Sequence, residues 1–168
     1  MPKKTAARKP ARRRPAGSGL TAADLMARDV LTVSPTTPVS EVLEILKIHN
    51  IKGAPVVGRD GELVGIVTED DVVFGQLGIS DAEREEMASQ GAGGRRKAKP
   101  HVRRVSEIMT QHPIAAEENT PVEDLCRLMS RLKIHRIPIV TGGRVVGIVS
   151  TIDICRILAD GRARLVRA

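Results

Sequence analysis

Gly65-Ile66-Val67-Thr68-Glu69-Asp70-Asp71 recurs 82 residues later as Gly147-Ile148-Val149-Ser150-Thr151-Ile152-Asp153, in the shared form G-I-V-[ST]-x-x-D. A β-branched apolar run ending in Ser or Thr, with an acid three residues on, reads as a strand entering a helix through a capping box. Seen once, such a turn is most simply a helix cap. Seen twice, it prompts a search for a longer repeat. Upstream, Met26 falls on Met109 at an offset of 83, Thr37-Pro38-Val39 on Thr120-Pro121-Val122, Ile51 on Ile134, Pro55 on Pro138 and Val57 on Val140. One residue is lost in the turn between, Arg59-Asp60-Gly61 in the first copy and Gly142-Gly143 in the second.

Each copy predicts the same order of elements. A short extended piece comes first, Leu31-Thr32-Val33 or Ile114-Ala115-Ala116. A helix follows, with Thr37 or Thr120 as N-cap and Pro at the first helical position. In the second copy Glu123 is placed to complete a capping box with Thr120. Apolar residues then recur at helical spacing: Val39, Val42, Leu43 and Leu46, or Val122, Leu125, Leu128, Met129 and Leu132. Two strands around a tight turn and a second helix complete the unit. The expectation is an α/β (α+β) protein of two β-α-β-β-α repeats with their sheets packed together, 20–78 and 103–160. Residues 1–19 are a basic tail expected to be disordered. Residues 79–102 are a linker with a short polar helix at Ser80–Gln90 and a flexible basic stretch over Gly91–Pro100. Residues 161–168 form a C-terminal tail.

The 168 residues carry 27 Lys+Arg against 20 Asp+Glu. Seven of those bases, and no acid, lie in residues 1–19, so the remainder is formally neutral at 20 against 20. The excess charge belongs to a tail rather than to a folded basic face. Two readings of the tail stay open: a solubilising leader, or an arm (residues 3–14) that meets nucleic-acid phosphates without sequence preference. Phe74 is the sole aromatic residue, which argues against RNA readers that stack bases on aromatic platforms. Apolar runs are far shorter than the ~20 residues needed to cross a bilayer. No apolar segment follows the basic start, as a secretory leader requires. A cytoplasmic protein without membrane association is expected. Cys126 and Cys155 align with Leu43 and Val73 on apolar helix faces and read as core. The four histidines show no metal-ligand spacing, and no catalytic Ser-His-Asp or Cys-His arrangement is evident. Neither a bound metal nor enzymatic activity is expected.

The repeated motif also has a chemical reading. A helix N-terminus presents unpaired N–H groups and a positive dipole end, which suit a phosphate. A Ser or Thr hydroxyl there can donate to a phosphate oxygen, and an Asp carboxylate can accept from both hydroxyls of a ribose. Phosphate and ribose together suggest a nucleotide. The duplicated β-α-β-β-α unit, the Thr-Pro-Val helix start, the strand-initial Pro55 and Pro138 and the G-I-V-[ST]-x-x-D pair resemble a tandem pair of CBS (cystathionine β-synthase) domains, often called a Bateman module, over about residues 20–160.

The resemblance implies two copies packed about a pseudo-twofold axis. It also implies clefts for an adenine nucleotide (AMP, ADP or ATP) or S-adenosylmethionine, frequent homodimerisation, and regulation of a partner protein. It assigns Asp153 and Asp71 to the ribose, and Ser150 and Thr68 to the phosphate or ribose. Ile114 and Leu31 fall on one side of the base, Ile137-Pro138 and Ala54-Pro55 on the other. His135 and Arg136 take a phosphate-facing position. The second copy also has Thr110 where the first has Ala27. Glu69 and Asp70 crowd the first motif and oppose a polyphosphate, so the second-copy set Ser150, Asp153 and Thr110 is the preferred site. The sequence leaves open which cleft Arg136 serves. The expected function is a stand-alone regulatory CBS pair that senses an adenosine-containing ligand and signals to an unknown partner. The alternatives are a ligand-free dimeric scaffold or stress-response protein, and a nucleic-acid-associated protein acting through its tail.

Overall fold

The computed structural model describes residues 3–4, 19–77 and 103–161. The rest of the basic tail, the 79–102 linker with its expected helix, and residues 162–168 lie outside the described residues.

The first copy runs α1 (Ala22–Leu25), β2 (Leu31–Thr32), α2 (Val39–Ile48), β3 (Gly53–Val57), β4 (Leu63–Thr68) and α3 (Glu69–Leu77), preceded by a two-residue strand β1 (Lys3–Lys4). The second has a 3-10 turn at Val105–Glu107, then β5 (Thr110–Gln111), β6 (Ala116–Glu117), α4 (Val122–Leu132), β7 (Arg136–Thr141), β8 (Arg144–Ser150) and α5 (Thr151–Ala159). β1 pairs antiparallel with β2, so a piece of the expected disordered tail adds to a strand edge.

The two hairpins match pair for pair. Gly53 faces Thr68 as Arg136 faces Ser150, and both ladders shift register at equivalent places, Val56/Val57 and Ile139/Val140. Gly142 and Gly143 both have positive φ (58° and 77°), the conformation a two-residue hairpin turn demands. The turns also meet each other. Leu63 N donates to Gly143 O at 3.0 Å and Val145 N to Gly61 O at 3.4 Å. These reciprocal bonds place a pseudo-twofold axis between the hairpins.

The copies are not self-contained. β5, which opens the second copy, pairs antiparallel with β4 of the first. Ala27, at the equivalent place in the first copy, bridges Ile148 of β8, with N–H to O distances of 2.9 and 3.0 Å. Each entry segment therefore supplies the fourth edge of the other copy's sheet. Side chains follow the backbone. Ala22 and Met26 pack with Leu125, Met129, Ile137, Ile139 and Val149, whereas Val105, Ile108 and Met109 pack with Val42, Leu46, Val56 and Val67. The glycine of each G-I-V run makes this exchange fit: a Cβ at Gly65 would lie 2.6 Å from Met109 Sδ, and one at Gly147 2.9 Å from Met26 Cγ. A third cluster of Val30, Val140 and Val145, with Val57 and Leu63 against it, joins the halves.

The crossing also corrects the expected helix starts. α2 and α4 begin one residue later, with Pro38 and Pro121 as N-caps, and Thr120 and Glu123 form no capping box. The Thr37 and Thr120 hydroxyls instead accept from the amides of Ser34 and Glu117, both at 3.1 Å. The first helical amides donate across the molecule, Val39 N to Arg103 O and Val122 N to Leu20 O. The early extended piece of the second copy is displaced too: β6 is Ala116–Glu117, and Ile114 is left outside the sheet. Cys155 is exposed and Cys126 half-buried, against the expected core positions. α5 turns Ile157 inward, and the face bearing Ile152 and Cys155 points out.

Candidate functional site

A cleft of about 710 Å³ opens between the copies, within the roughly 300–1,000 Å³ usual for small-molecule sites. Its first wall is the β4–α3 junction, with Thr68 and the three acids Glu69, Asp70 and Asp71 in the opening turn of the helix. Asp71 is 5% exposed. Its Oδ2 accepts from Thr68 N at 2.8 Å and Thr68 Oγ1 at 2.7 Å, and Asp71 N donates back to Thr68 Oγ1 at 3.4 Å. The sequence-predicted cap is therefore formed, and it fixes the carboxylate at the cleft wall.

The second wall comes from the other copy. Thr110 reaches the cleft because β5 crosses onto β4. His112, Pro113 and Ile114 follow, and Ile114 is 45% exposed there. Lys133, Ile134 and His135 enter from the end of α4, then Arg136 and Pro138 from β7. Lys133 terminates α4 in the left-handed region (φ 57°). Lys52 stands beside Glu69, its Nζ 2.9 and 3.1 Å from the two carboxylate oxygens. Burial pushes the half-buried Arg136 guanidinium below its ordinary pKa, while the carboxylates of Glu69 and then Asp70 push it up. An arginine stays charged through such shifts. Arg136 thus faces the acids of the first copy, which the sequence left open.

The second motif is built alike but placed otherwise. Ser150 N and Oγ donate to Asp153 Oδ2 at 2.8 and 2.6 Å, and Arg156 donates to Asp153 Oδ1 at 3.2 Å. Ser150 and Asp153 do not line this cleft, although Thr151 does. The expected grouping of Thr110 with Ser150 and Asp153 is corrected accordingly: strand exchange carries Thr110 to Thr68 and Asp71. Ile137 and Ala54 are fully buried in the two cores, so their side chains are structural. Pro138 lines the cleft, whereas Pro55 and Leu31 do not.

Lys52, Lys133 and His112 escaped the sequence reading. A signal for Lys133 existed. Its equivalent at an offset of 83 is Asn50, also left-handed (φ 50°), and Asn tolerates that region better than most residues. The repeat therefore marks Lys133 as a left-handed helix end, and the fold turns it into the cleft. Among the described residues no helix is long and apolar enough to cross a membrane, and no group of three or more His, Cys, Asp or Glu could hold a metal ion.

Two copies that complete each other's sheets around a shared cleft, each with a capped strand-to-helix turn, define a duplicated two-copy module. The CBS domain family model matches residues 22–77 and 105–160, and the chain belongs to that family. It is 32% identical over 139 residues to CBS domain-containing protein CBSX1, chloroplastic, of Arabidopsis thaliana, covering 76% of this chain and 58% of that one. It is 31% identical to CBS domain-containing protein YhcV of Bacillus subtilis, covering 78% and 80%. It is 30% identical to inosine-5'-monophosphate dehydrogenase of Thermoplasma acidophilum, covering 77% of this chain but 22% of that enzyme. The chain therefore spans under two thirds of the plant protein and about a fifth of the dehydrogenase. Among solved structures, the CBS domain pair of MJ0100, in complex with 5'-methylthioadenosine and S-adenosyl-L-methionine, matches with a TM-score of 0.66 at 29% identity, covering 87% of this chain and all of that one. CBSX2 in complex with AMP matches at a TM-score of 0.68 and 24% identity, over 86% of this chain and all of that one, a likeness of fold.

Proposed function

We propose that this chain is a regulatory module that takes an adenosine-containing ligand in the inter-copy cleft and passes its occupancy to a partner protein. The observation that carries the reading is the composition of the cleft. A capped helix N-terminus with Thr68 and Asp71 faces Arg136, Lys133 and His135, with Ile114 and Pro138 as apolar walls. Apolar walls suit a base, the Asp71 carboxylate suits ribose hydroxyls, and the bases suit a phosphate. The MJ0100 pair, solved with two adenosine compounds, supports the same ligand class. Because the walls come from different copies, a ligand that touches both favours one relative placement of the copies, to the extent that it binds that placement better. Val73 and Ile152 are 50% and 65% exposed on α3 and α5, apolar surface that a second chain would cover in a homodimer.

Thermal unfolding with AMP, ADP, ATP, 5'-methylthioadenosine and S-adenosylmethionine tests the reading. A concentration-dependent rise in Tm with at least one of them is expected. No rise at millimolar ligand would leave the ligand-free scaffold as the better account. Sedimentation at micromolar concentration should give about twice the 18.1 kDa chain mass.

A further inference from the structure

We propose that the cleft selects adenosine ligands with a single phosphate over those with two or three, and that Glu69 and Asp70 set this limit; the inference rests on the adenosine reading above. Among the described residues the cleft is balanced in fixed charge, three bases against three acids. Lys52, Lys133 and Arg136 line it, and so do Glu69, Asp70 and Asp71. Two of the bases already face these acids. Lys52 holds both oxygens of Glu69, and Arg136 lies in the field of Glu69 and Asp70. An arriving phosphate must share Arg136 with carboxylates that cannot leave, because both are anchored in the first turn of α3. One phosphate has Lys133, Arg136 and His135 to meet it. Each further phosphate adds negative charge near Glu69 and Asp70, and among the described residues no further Lys or Arg lines the cleft to offset it. Like charges a few ångströms apart in a partly desolvated cleft repel far more than in bulk water. A repulsive element of this kind discriminates between ligands that share every attractive contact.

The fold does not demand these acids. A capped helix needs the acid at the third helical position, and Asp71 and Asp153 both supply it. At the two preceding positions the second motif has Thr151 and Ile152.

Calorimetry with AMP, ADP and ATP, in chelator without divalent cation at low salt, provides the test. AMP should bind at least tenfold more tightly than ATP, with ADP between. In the Glu69→Gln/Asp70→Asn variant the gap should shrink below threefold, mainly through tighter ATP binding, while 5'-methylthioadenosine, which has no phosphate, keeps its affinity. Asp70→Asn alone should narrow the gap in part, and it retains the Lys52–Glu69 pair should the double variant fold poorly. ATP binding as tightly as AMP in the wild type, or a gap unchanged in both variants, overturns the inference. Failure of the adenosine reading looks different: no member of the series binds the wild type, and the inference falls with it.

Discussion

Thr68–Asp71 and Ser150–Asp153 share one sequence pattern and one hydrogen-bonded turn, yet they stand in different surroundings. Each Asp accepts a backbone amide and a hydroxyl on Oδ2 within 2.6–2.8 Å. The neighbours differ. Asp153 has Arg156 on Oδ1, while the equivalent of Arg156 is Phe74, which offers no donor. Asp71 lines the cleft with bases from the other copy, and Asp153 does not. Capping is thus a property of the motif, and a place in this cleft is a property of where strand exchange sets the motif down. One pattern therefore caps a helix in both copies and lines this cleft in only one of them.

The strongest way to break this comparison is to remove each acid in turn. Asp71→Ala should weaken an adenosine ligand by about 1.5–3 kcal/mol, the range for hydrogen bonds to a charged group. Asp153→Ala should leave affinity within about 0.5 kcal/mol, as expected of a substitution away from the ligand. Calorimetry on both variants decides the point, and equal losses would erase the distinction.

The glycines sharpen the structural half. Gly147→Ala should cost about 1–3 kcal/mol in urea unfolding, the usual range for overpacking, because the added methyl meets Met26 along its length, Cγ at 2.9 Å and Cβ at 3.1 Å. Gly65→Ala should cost less, since its contacts are longer, with Met109 Sδ at 2.6 Å, Thr110 O at 3.1 Å and Met109 Cγ at 3.2 Å. A larger loss at Gly65 would reverse the ranking of the two sockets.

Asp153→Ala should still destabilise the fold, by about 0.5–2 kcal/mol for a lost cap, with a lower urea midpoint. No change there would mean that Ser150 alone holds the end of α5. The smallest effect is kinetic. Burial, with Glu123 nearby, raises the Cys126 thiol pKa, and Cys155 is exposed. Fewer thiolates and poorer access predict slower alkylation of Cys126 than of Cys155 near pH 8. Peptide mapping after a short labelling pulse measures the ratio.

The fold was legible because its evidence is local and doubled. Motif, turn and helix period each recur at a fixed offset, and the paired hairpin registers follow from it. The composition of the cleft was less legible because it depends on contacts across the repeat. Nothing within residues 103–111 announces that the segment pairs with β4, so the sequence groups Thr110 with its own copy. The expected Thr120–Glu123 box fails for a local reason: the Thr120 amide and hydroxyl are both taken by Glu117, donating to its O at 3.0 Å and accepting from its N at 3.1 Å. The sequence marks Glu69 and Asp70 as acids that crowd the first motif. That they share a cleft with Arg136 is knowledge only the fold supplies.

The exchanged entry segments bear on what half of this molecule would be. A single copy expressed alone would carry an unpaired edge at β4 or β8 and an empty socket above its motif glycine. Open edges of this kind recruit strands from other chains. The segment shaped for the socket is the entry segment of a second copy, so an isolated half should trade segments with another half and assemble only as concentration allows. Joining two copies through residues 79–102 makes that trade intramolecular, at an effective concentration set by the linker instead of by expression level. Duplication here turns a dilution-sensitive pairing into a property of one chain.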